Sequence, residues 1–271
     1  MYLYNGNIVS EISIEASNRA FKYGDAFFET MLYHEGSIPL FDLHFERATK
    51  TFPLLKMQLP NGFLKDEFKS LLLNFLATKR YTTAKVRISF WRDGEGTYFT
   101  TEDTSSYLIE AASITSKPFE LNKEGQTLGI YRDTFKNTDF LANVKVSGCL
   151  TYILASSWVK EQEVDDAILL NHHGRVAECT SSNIFLVFDN EIITPSLSEG
   201  CLDGVMRRHL LNTLPKQGYT VKEQTIELTD IEKANEIFTT NALGIKWIEK
   251  VENIEKKYQN NSISKFIIAK D

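Results

Sequence analysis

The chain has 271 residues, which is long for one hydrophobic core and sufficient for two. Its 30 basic and 36 acidic residues give a net charge of −6, which argues against a general nucleic-acid binder, and no apolar run approaches the roughly 18–20 residues of a membrane span. The three cysteines form no CxxC pair and the N-terminus lacks the basic and apolar segments of a signal peptide, so we expect free thiols, no bound metal and a cytoplasmic location.

The first half of the chain has the pattern of helices packed on a largely antiparallel sheet. A hairpin with Asn5-Gly6 at its turn begins the chain. Apolar spacing predicts a helix over 42–57, which Pro53 bends or ends, and a second helix over 65–76. This arrangement indicates an α+β fold class. Strands are predicted at 27–34, 84–91 and 106–112.

A polar stretch that contains Pro118 and Gly125 separates the two halves. We therefore predict a small α+β domain over 1–117, a linker over 118–126 and a larger domain over 127–271. The strands of the larger domain are short and turn at two hairpins, which favours a barrel-like sheet flanked by helices over a doubly wound sheet. The predicted helices are 149–160, 204–213 and one from Ser262, and the predicted strands are 128–132, 166–170, 184–187, 192–194, 219–224, 236–239 and 246–249.

Two ionisable residues in the larger domain are candidates for chemistry. Lys145 lies beside an apolar segment, where a lysine commonly extends its charged end to water. In a desolvated site, however, a lysine loses its proton more easily, and the neutral amine attacks aldehydes. Glu178, expected between two strands, either caps a turn or hydrogen-bonds a pyridinium nitrogen.

Other polar residues are candidates for anion binding. Gly204 begins a predicted helix whose first N–H groups either bind a phosphate or are capped by Asp203. Thr240 and Asn241 end an apolar strand, where they contact a phosphate or begin a turn.

Three arginines have similar alternatives. Arg47 pairs with His44 on a helix surface or donates to a phosphate. Arg87 and Arg92 alternate with apolar residues and either form a solvated face, the preferred interpretation for Arg87, or hold a substrate carboxylate.

Together these segments resemble the fold-type IV (class IV) pyridoxal-phosphate enzymes, a family of branched-chain aminotransferases, D-amino-acid transaminases and aminodeoxychorismate lyases. The resemblance covers nearly the whole chain in the right order. Lys145 falls where the family has its Schiff-base lysine, and Glu178 follows 33 positions later, as in the family. The other matching segments are 18–30, NRAFKYGDAFFET, similar to DRGxxYGDGxFET; His44 and Arg47, similar to HxxR; 178–185, ECTSSNIF, similar to E…SNxF; and 204–207, GVMR, similar to GIxR.

The resemblance implies pyridoxal 5'-phosphate as cofactor, with Lys145 as its covalent partner and as the general base. It further implies Glu178 at the ring nitrogen and a substrate pocket between the domains at a homodimer interface. The substrate-binding residues are then Tyr33, Arg92 and Tyr98. The implied cofactor-binding residues are Arg47, Lys145, Glu178, Ser182, Gly204, Val205, Met206, Thr240 and Asn241.

The branch of the family is predicted from departures in two motifs. The chain has Gly96-Thr97-Tyr98-Phe99 where D-amino-acid transaminases carry an Arg-x-His carboxylate trap. Residues 241–243, NAL, are closer to the lyases than to branched-chain aminotransferases. We expect an aminotransferase acting between a small, branched-chain or similar amino acid and a 2-oxo acid, because that activity is the commoner one. The alternative is a 4-amino-4-deoxychorismate lyase that releases pyruvate and 4-aminobenzoate; a non-catalytic cofactor-binding relative is disfavoured by the lysine, glutamate and arginine.

Overall fold

The computed structural model describes residues 1–100, 102–115 and 120–259, which divide into two compact units. The first unit extends from the N-terminus to residue 115 and includes Lys145–Gly148. The second unit comprises residues 120–144 and 149–259. Each unit has its own cluster of buried apolar side chains, so the two cores predicted from the chain length are present.

The first unit is built on an antiparallel sheet. Its elements are β1 (Tyr2–Tyr4), β2 (Asn7–Val9), α1 (Arg19–Tyr23), β3 (Ala26–His34), α2 (Phe41–Leu54), α3 (Lys65–Thr78), β4 (Thr83–Arg92) and β5 (Ser105–Ser113). The sheet has the strand order β2-β1-β5-β4-β3. At the turn between β1 and β2, Asn5 and Gly6 both have positive φ, as the predicted two-residue hairpin requires.

The core of the first unit is rich in aromatic side chains. Alternate residues of β3 point to opposite faces of the sheet, and Phe27 is on the buried face. Its ring lies 4.9 Å from that of Phe52 on α2 and 4.8 Å from that of Phe90 on β4. Phe63, in the segment between α2 and α3, completes the group at 5.7 Å from Phe52. These ring contacts hold α2 against the sheet.

The second unit is a mixed sheet with helices. Its elements are β6 (Gln126–Lys136), α4 (Leu150–Glu161), β7 (Asp166–Asn171), β8 (Val176–Cys179), β9 (Asn183–Phe188), β10 (Glu191–Pro195), α5 (Val205–Thr213), β11 (Thr220–Gln224), α6 (Leu228–Lys233), β12 (Glu236–Asn241) and β13 (Gly244–Val251). The eight strands form one curled sheet in the order β11-β10-β9-β12-β13-β6-β7-β8. The pairs β10–β11, β13–β6 and β6–β7 are parallel. The predicted α+β class with a barrel-like second sheet is confirmed.

Most of the predicted elements in the described part of the chain are present with shifts of one to four residues at their ends. Helix α2 ends at Leu54, directly after Pro53, as predicted. The short helices α1 and α6 were not predicted, because five or six residues are too few to show a helical period. The predicted helix from Ser262 lies outside the described residues.

One short segment departs from the predicted continuous second domain of 127–271. Lys145–Gly148 pack with the first unit, because the N–H of Phe28 donates to the carbonyl of Lys145 at 3.0 Å and the N–H of Ser147 donates to the carbonyl of Ala26 at 2.9 Å. Phe27 and Val146 form an antiparallel bridge between these bonds. Residues 145–148 thus lie along β3, a long-range pairing that no local pattern reveals.

Among the described residues, no helix combines the length and apolar character needed to cross a membrane. Within the same residues, His, Cys, Asp and Glu side chains form no group of three or more that suits a metal ion.

We expect Phe52→Ala to lower the free energy of unfolding by about 3–5 kcal/mol, because it leaves a cavity among three aromatic rings. Urea unfolding followed by tryptophan fluorescence measures the change. Phe21→Ala is the matched control, since the side chain of Phe21 is 77% exposed and should tolerate truncation with little effect. Equal losses in the two variants would contradict the assignment of Phe52 to the core.

Candidate active site

Glu178, the acidic residue of the predicted site set, is buried. It lies in β8, a short strand, and not between strands as predicted, because its four residues pair with β7 across a bulge. Its Oε1 accepts hydrogen bonds from the Tyr152 hydroxyl at 2.6 Å and from Lys136 Nζ at 2.9 Å. Its Oε2 accepts the N–H of Leu202 at 3.0 Å. The carboxylate therefore sits in a network that balances its charge.

Two thiols lie near this carboxylate. Burial raises the pKa of Cys201 to about 12, and burial followed by the charges of Asp166 and Glu178 raises the pKa of Cys179 well above its ordinary value. Both thiols therefore remain protonated at neutral pH, and neither is suited to act as a nucleophile.

Asn183 lies next to two of the predicted cofactor-binding residues, Thr240 and Gly204. Asn183 is opposite Thr240 where β9 pairs with β12, and its Nδ2 donates to the carbonyl of Leu202 at 2.9 Å. Its Oδ1 lies only 1.9 Å from the point that a Cβ on Gly204 would occupy, so a side chain at position 204 would require the Asn183 amide to move. Asn241 follows Thr240 and donates from Nδ2 to the carbonyl of Ser181 at 3.2 Å.

The loop at 180–182 is held by an acidic side chain. Asp166, buried at the start of β7, accepts hydrogen bonds from the backbone N–H and the hydroxyl of Thr180 and from the hydroxyls of Ser181 and Ser182. The predicted cofactor-binding side chain of Ser182 thus donates to Asp166 at 3.3 Å. Sequence reasoning missed Asp166, whose only signal is a charged residue directly before the apolar run of residues 167–170.

The second unit also presents a helix start and a buried hydroxyl. Val205 and Met206 begin α5 after Gly204, so their N–H groups have no acceptor within the helix. The Oγ1 of Thr240 is buried and has no hydrogen-bond partner among the described residues. A buried hydroxyl without a partner is costly in a folded protein, and a bound acceptor would satisfy it.

Lys145 lies in the first unit beside an aromatic ring. Its Nζ is 4.6 Å from the centre of the Phe28 ring, and the guanidinium carbon of Arg87 lies 3.7 Å from the same centre. Arg87, for which the solvated alternative was preferred, is therefore a second cation on the ring that contacts Lys145. Two residues before Lys145, Asn143 donates from Nδ2 to the carbonyls of Leu197 and Cys201.

Arg47, the predicted phosphate ligand, forms a buried ion pair in the first unit. Its Nε and one terminal nitrogen donate to the two oxygens of Glu29, each at 2.7 Å, and His44 Nδ1 lies 2.8 Å from Glu29 Oε2. Burial by itself would raise the pKa of Glu29, but Arg47 and His44 outweigh it and lower the pKa to about 2. The phosphate role of Arg47 remains a prediction.

The three predicted substrate-binding residues also lie in the first unit, in different surroundings. Each nitrogen of the Arg92 guanidinium donates to a protein acceptor: Nε to Asp25, one terminal nitrogen to Asp103 and to the carbonyl of Lys56, the other to a backbone carbonyl. Tyr33 is in the buried core, and the side chain of Tyr98 is 89% exposed. Their substrate contacts remain predictions, and the donors of Arg92 are used within the protein.

The chemistry of the donor set in the second unit fits a phosphorylated pyridine. The first turn of α5 and the hydroxyl of Thr240 offer N–H and O–H donors of the kind that a phosphate accepts. The carboxylate of Glu178 is a partner for a protonated ring nitrogen.

The family is identified by comparison with known proteins. Residues 26–249 match the family model described as amino-transferase class IV. This chain belongs to that family, whose members use pyridoxal phosphate, so the resemblance seen in the sequence and the predicted cofactor are confirmed.

Individual relatives have different activities in their names. An aminodeoxychorismate lyase of Bacillus subtilis is 30% identical over 249 residues, which cover 90% of this chain and 83% of the relative. A protein of Rickettsia felis named as a probable branched-chain-amino-acid aminotransferase is 26% identical over 260 residues, 93% of this chain and 87% of the relative.

A solved structure shares the fold over nearly the whole chain. A branched-chain aminotransferase of Thermoproteus uzoniensis with norvaline has a TM-score of 0.88 at 21% identity, and the match covers 99% of this chain and 92% of that one.

We expect Glu29→Gln to lower the free energy of unfolding at pH 7 by about 3–5 kcal/mol, because it leaves the buried guanidinium of Arg47 without its counter-charge. The pKa of Glu29 is lowered from 4.5 to about 2 by folding. Its stabilisation is therefore complete above the unfolded value and is lost as the pH falls toward about 2.

Urea titrations at pH 7 and at about pH 3 test this dependence, and the difference between wild type and Glu29→Gln should narrow at the lower pH. Glu35→Gln is the control, because Glu35 is exposed. A difference that stays constant with pH would contradict the ionised pair.

Proposed function

We propose that this chain is a pyridoxal-phosphate aminotransferase that moves an amino group between a small amino acid and a 2-oxo acid. One observation supports the proposal above the others: the second unit gathers the Glu178 carboxylate, the first turn of α5 and the Thr240 hydroxyl in one connected cluster. That hydroxyl has no hydrogen-bond partner in the part of the chain that the structure describes. These groups match the ring nitrogen and the phosphate of the cofactor in kind.

Each residue of the proposed site has a definite task. Bound pyridoxal phosphate supplies an aldehyde that reacts with amines and a ring that withdraws electrons from the substrate. Lys145 would hold the cofactor covalently until the substrate amine replaces it, and its freed Nζ would then remove the proton from the substrate carbon that bears nitrogen and return it elsewhere on the conjugated system. Glu178 holds the proton on the ring nitrogen. The N–H groups of Val205 and Met206, with the Thr240 hydroxyl, bind the phosphate.

Arg87 is the proposed ligand of the substrate carboxylate in place of Arg92. Its guanidinium lies on the same Phe28 ring as the amine of Lys145, whereas the nitrogens of Arg92 are all used by protein acceptors. A planar guanidinium can bind a carboxylate with two parallel hydrogen bonds, which orients the substrate.

A second candidate function is the cleavage of 4-amino-4-deoxychorismate to pyruvate and 4-aminobenzoate. The Bacillus subtilis relative with that name is 30% identical to this chain, and residues 241–243, NAL, resemble the lyases. In both activities the substrate amine would replace Lys145, and Lys145 would then remove a proton from the substrate. They differ in whether that proton is returned elsewhere on the conjugated system, as transamination requires, or pyruvate is expelled.

Two assays on cofactor-loaded protein separate these functions. A panel of amino acids, each with a 2-oxo acid acceptor, should yield new oxo and amino acids if the chain is an aminotransferase. Incubation with 4-amino-4-deoxychorismate and no acceptor should yield pyruvate and 4-aminobenzoate if it is a lyase. Release of 4-aminobenzoate together with inactivity across the panel would overturn the first proposal.

We expect Lys145→Ala to abolish turnover and covalent attachment of the cofactor, because it removes both the nucleophile and the base. Mass spectrometry of borohydride-reduced, digested protein should find the cofactor on the peptide containing Lys145 in wild type and no adduct in the variant. Lys22→Ala, at an exposed lysine of the first unit, is the control and should retain the adduct. An adduct on a different lysine in the wild-type protein would refute the assignment.

We also propose that the protein is a homodimer and that α4 contributes to the interface. Leu150, Ile153 and Leu154 are 72%, 58% and 50% exposed and form one face of this helix, and Phe140 and Leu141 just before it are also exposed. An apolar surface of this extent is typical of an interaction site. The implied partner is a second copy of the chain, as in the family resemblance.

We expect Ile153→Glu combined with Leu154→Glu to convert the dimer to a monomer, because burial of two carboxylates in an apolar interface is costly. Sedimentation equilibrium measures the mass. Ser70→Glu, an exposed site on α3, controls for added charge. A wild-type protein that sediments as a single chain would contradict the proposal.

A further inference from the structure

The Lys136 ammonium and the Tyr152 hydroxyl contact the Glu178 carboxylate, and neither residue belongs to a matched family motif. Lys136 Nζ is 2.9 Å from Glu178 Oε1, and the Tyr152 hydroxyl is 2.6 Å from the same atom. Lys136 also donates to the Tyr152 hydroxyl, and its Nζ lies 4.5 Å from the centre of that ring. The side chains of Lys136 and Glu178 are 7% and 3% exposed, so water contributes little to their solvation.

The direction of each hydrogen bond follows from the chemistry of these three groups. A lysine ammonium has donors only, so Lys136 donates to both Tyr152 and Glu178. The single proton of the Tyr152 hydroxyl then points to Glu178. Burial, followed by the neighbouring Glu178 carboxylate, raises the pKa of Tyr152 far above its ordinary value, which keeps the hydroxyl a neutral donor.

The two partners come from different elements of the second unit. Lys136 is the last residue of β6 and is opposite Asn171 of β7 after a shift in register between Tyr131 and Lys136. Tyr152 lies in the first turn of α4. Residues of β6 and α4 therefore meet at one carboxylate oxygen that β8 carries.

The two carboxylate oxygens of Glu178 therefore differ in the number of hydrogen bonds that they accept. Oε1 receives the ammonium and the hydroxyl, whereas Oε2 receives only the Leu202 N–H among the described residues. Oε2 is therefore the oxygen with capacity for a further donor.

We propose that Lys136 and Tyr152 are positioning residues that keep Glu178 ionised and leave its Oε2 for the ring nitrogen of the cofactor. The proposal rests on the proposed function, in which Glu178 is the partner of that nitrogen. The positive charge of Lys136 stabilises the carboxylate more than the neutral carboxyl group. It therefore favours the arrangement in which the shared proton resides on the ring nitrogen.

The consequence is that Lys136 controls how strongly the ring withdraws electrons. Without the ammonium, a carboxylate in this buried position would be poorly solvated and would take the proton from the ring nitrogen. A neutral ring is a weaker electron acceptor, so proton removal by Lys145 would slow while the substrate carboxylate would still bind.

The test is the ¹⁵N chemical shift of the ring nitrogen in protein loaded with ¹⁵N-labelled pyridoxal phosphate. Wild type should show a protonated nitrogen, and Lys136→Met, which keeps the length of the side chain and removes its charge, should show a neutral one. In the same variant kcat should fall about tenfold or more, the scale seen when an outer partner of a site group is lost, with a smaller change in KM. Lys136→Arg should restore the protonated signal.

Two further variants complete the experiment. Lys160→Met removes an exposed lysine of α4 and should leave the signal unchanged. Tyr152→Phe keeps the ring beside Lys136 and removes one donor, so its signal should move part of the way toward the neutral form. If Lys136→Met does not fold or load, Tyr152→Phe decides the question.

The outcomes are distinct from those that test the proposed function. A folded, loaded Lys136→Met with the wild-type shift would overturn the inference, as would an unchanged shift in Tyr152→Phe where only that variant can be measured. A wild-type protein with a neutral ring nitrogen would overturn the role of Glu178 and this inference with it. A wild-type protein that forms no adduct at Lys145 would instead overturn the proposed function.

Discussion

The constraint on which the second unit depends is the neutralisation of one buried carboxylate. Glu178 is almost fully removed from water, and the Lys136 ammonium, the Tyr152 hydroxyl and the Leu202 N–H together replace its hydration. Removal of any one partner would leave a buried charge incompletely compensated. The same three contacts fix the ends of β6 and α4 relative to β8 and draw the 201–203 loop toward them, so a single charge organises the site around it.

The loop before α5 extends that organisation to the proposed phosphate-binding groups. Asn183 donates to the carbonyl of Leu202, and the same side chain occupies the position that a Cβ at residue 204 would take. The start of α5 is thereby held beside the end of β12, where the buried hydroxyl of Thr240 has no partner within the described ranges. In the first unit, main-chain bonds to β3 hold the Lys145 segment, and the Lys145 amine and the Arg87 guanidinium both contact the Phe28 ring. Packing and hydrogen bonds within each unit therefore fix the positions of its candidate site residues.

Two of the three arginines predicted as possible ligands are paired with carboxylates of the protein itself. Arg47 is paired with Glu29 inside the first unit, and Arg92 is held by Asp25, Asp103 and two backbone carbonyls. Arg87 instead lies on an aromatic ring, with one weak contact to Ser89 at 3.3 Å. Of the three arginines, Arg87 alone has no carboxylate partner among the described residues, which is why it is the proposed ligand of the substrate carboxylate.

The sequence by itself determined the fold class, the family and most of the helices and strands, because these follow from local apolar periods and from motifs whose order along the chain is visible. It also marked Lys145, Glu178 and Gly204 as candidate site residues, because they match motif positions. Only the tertiary structure decided that Lys145–Gly148 pair with β3, that Lys136 and Tyr152 contact Glu178, that Asp166 holds the loop at 180–182, and that Arg87 lies over the Phe28 ring while Arg92 is occupied. The physical reason is that charge compensation and strand pairing act between residues that are distant in the chain. Local sequence patterns do not predict which buried group contacts which partner.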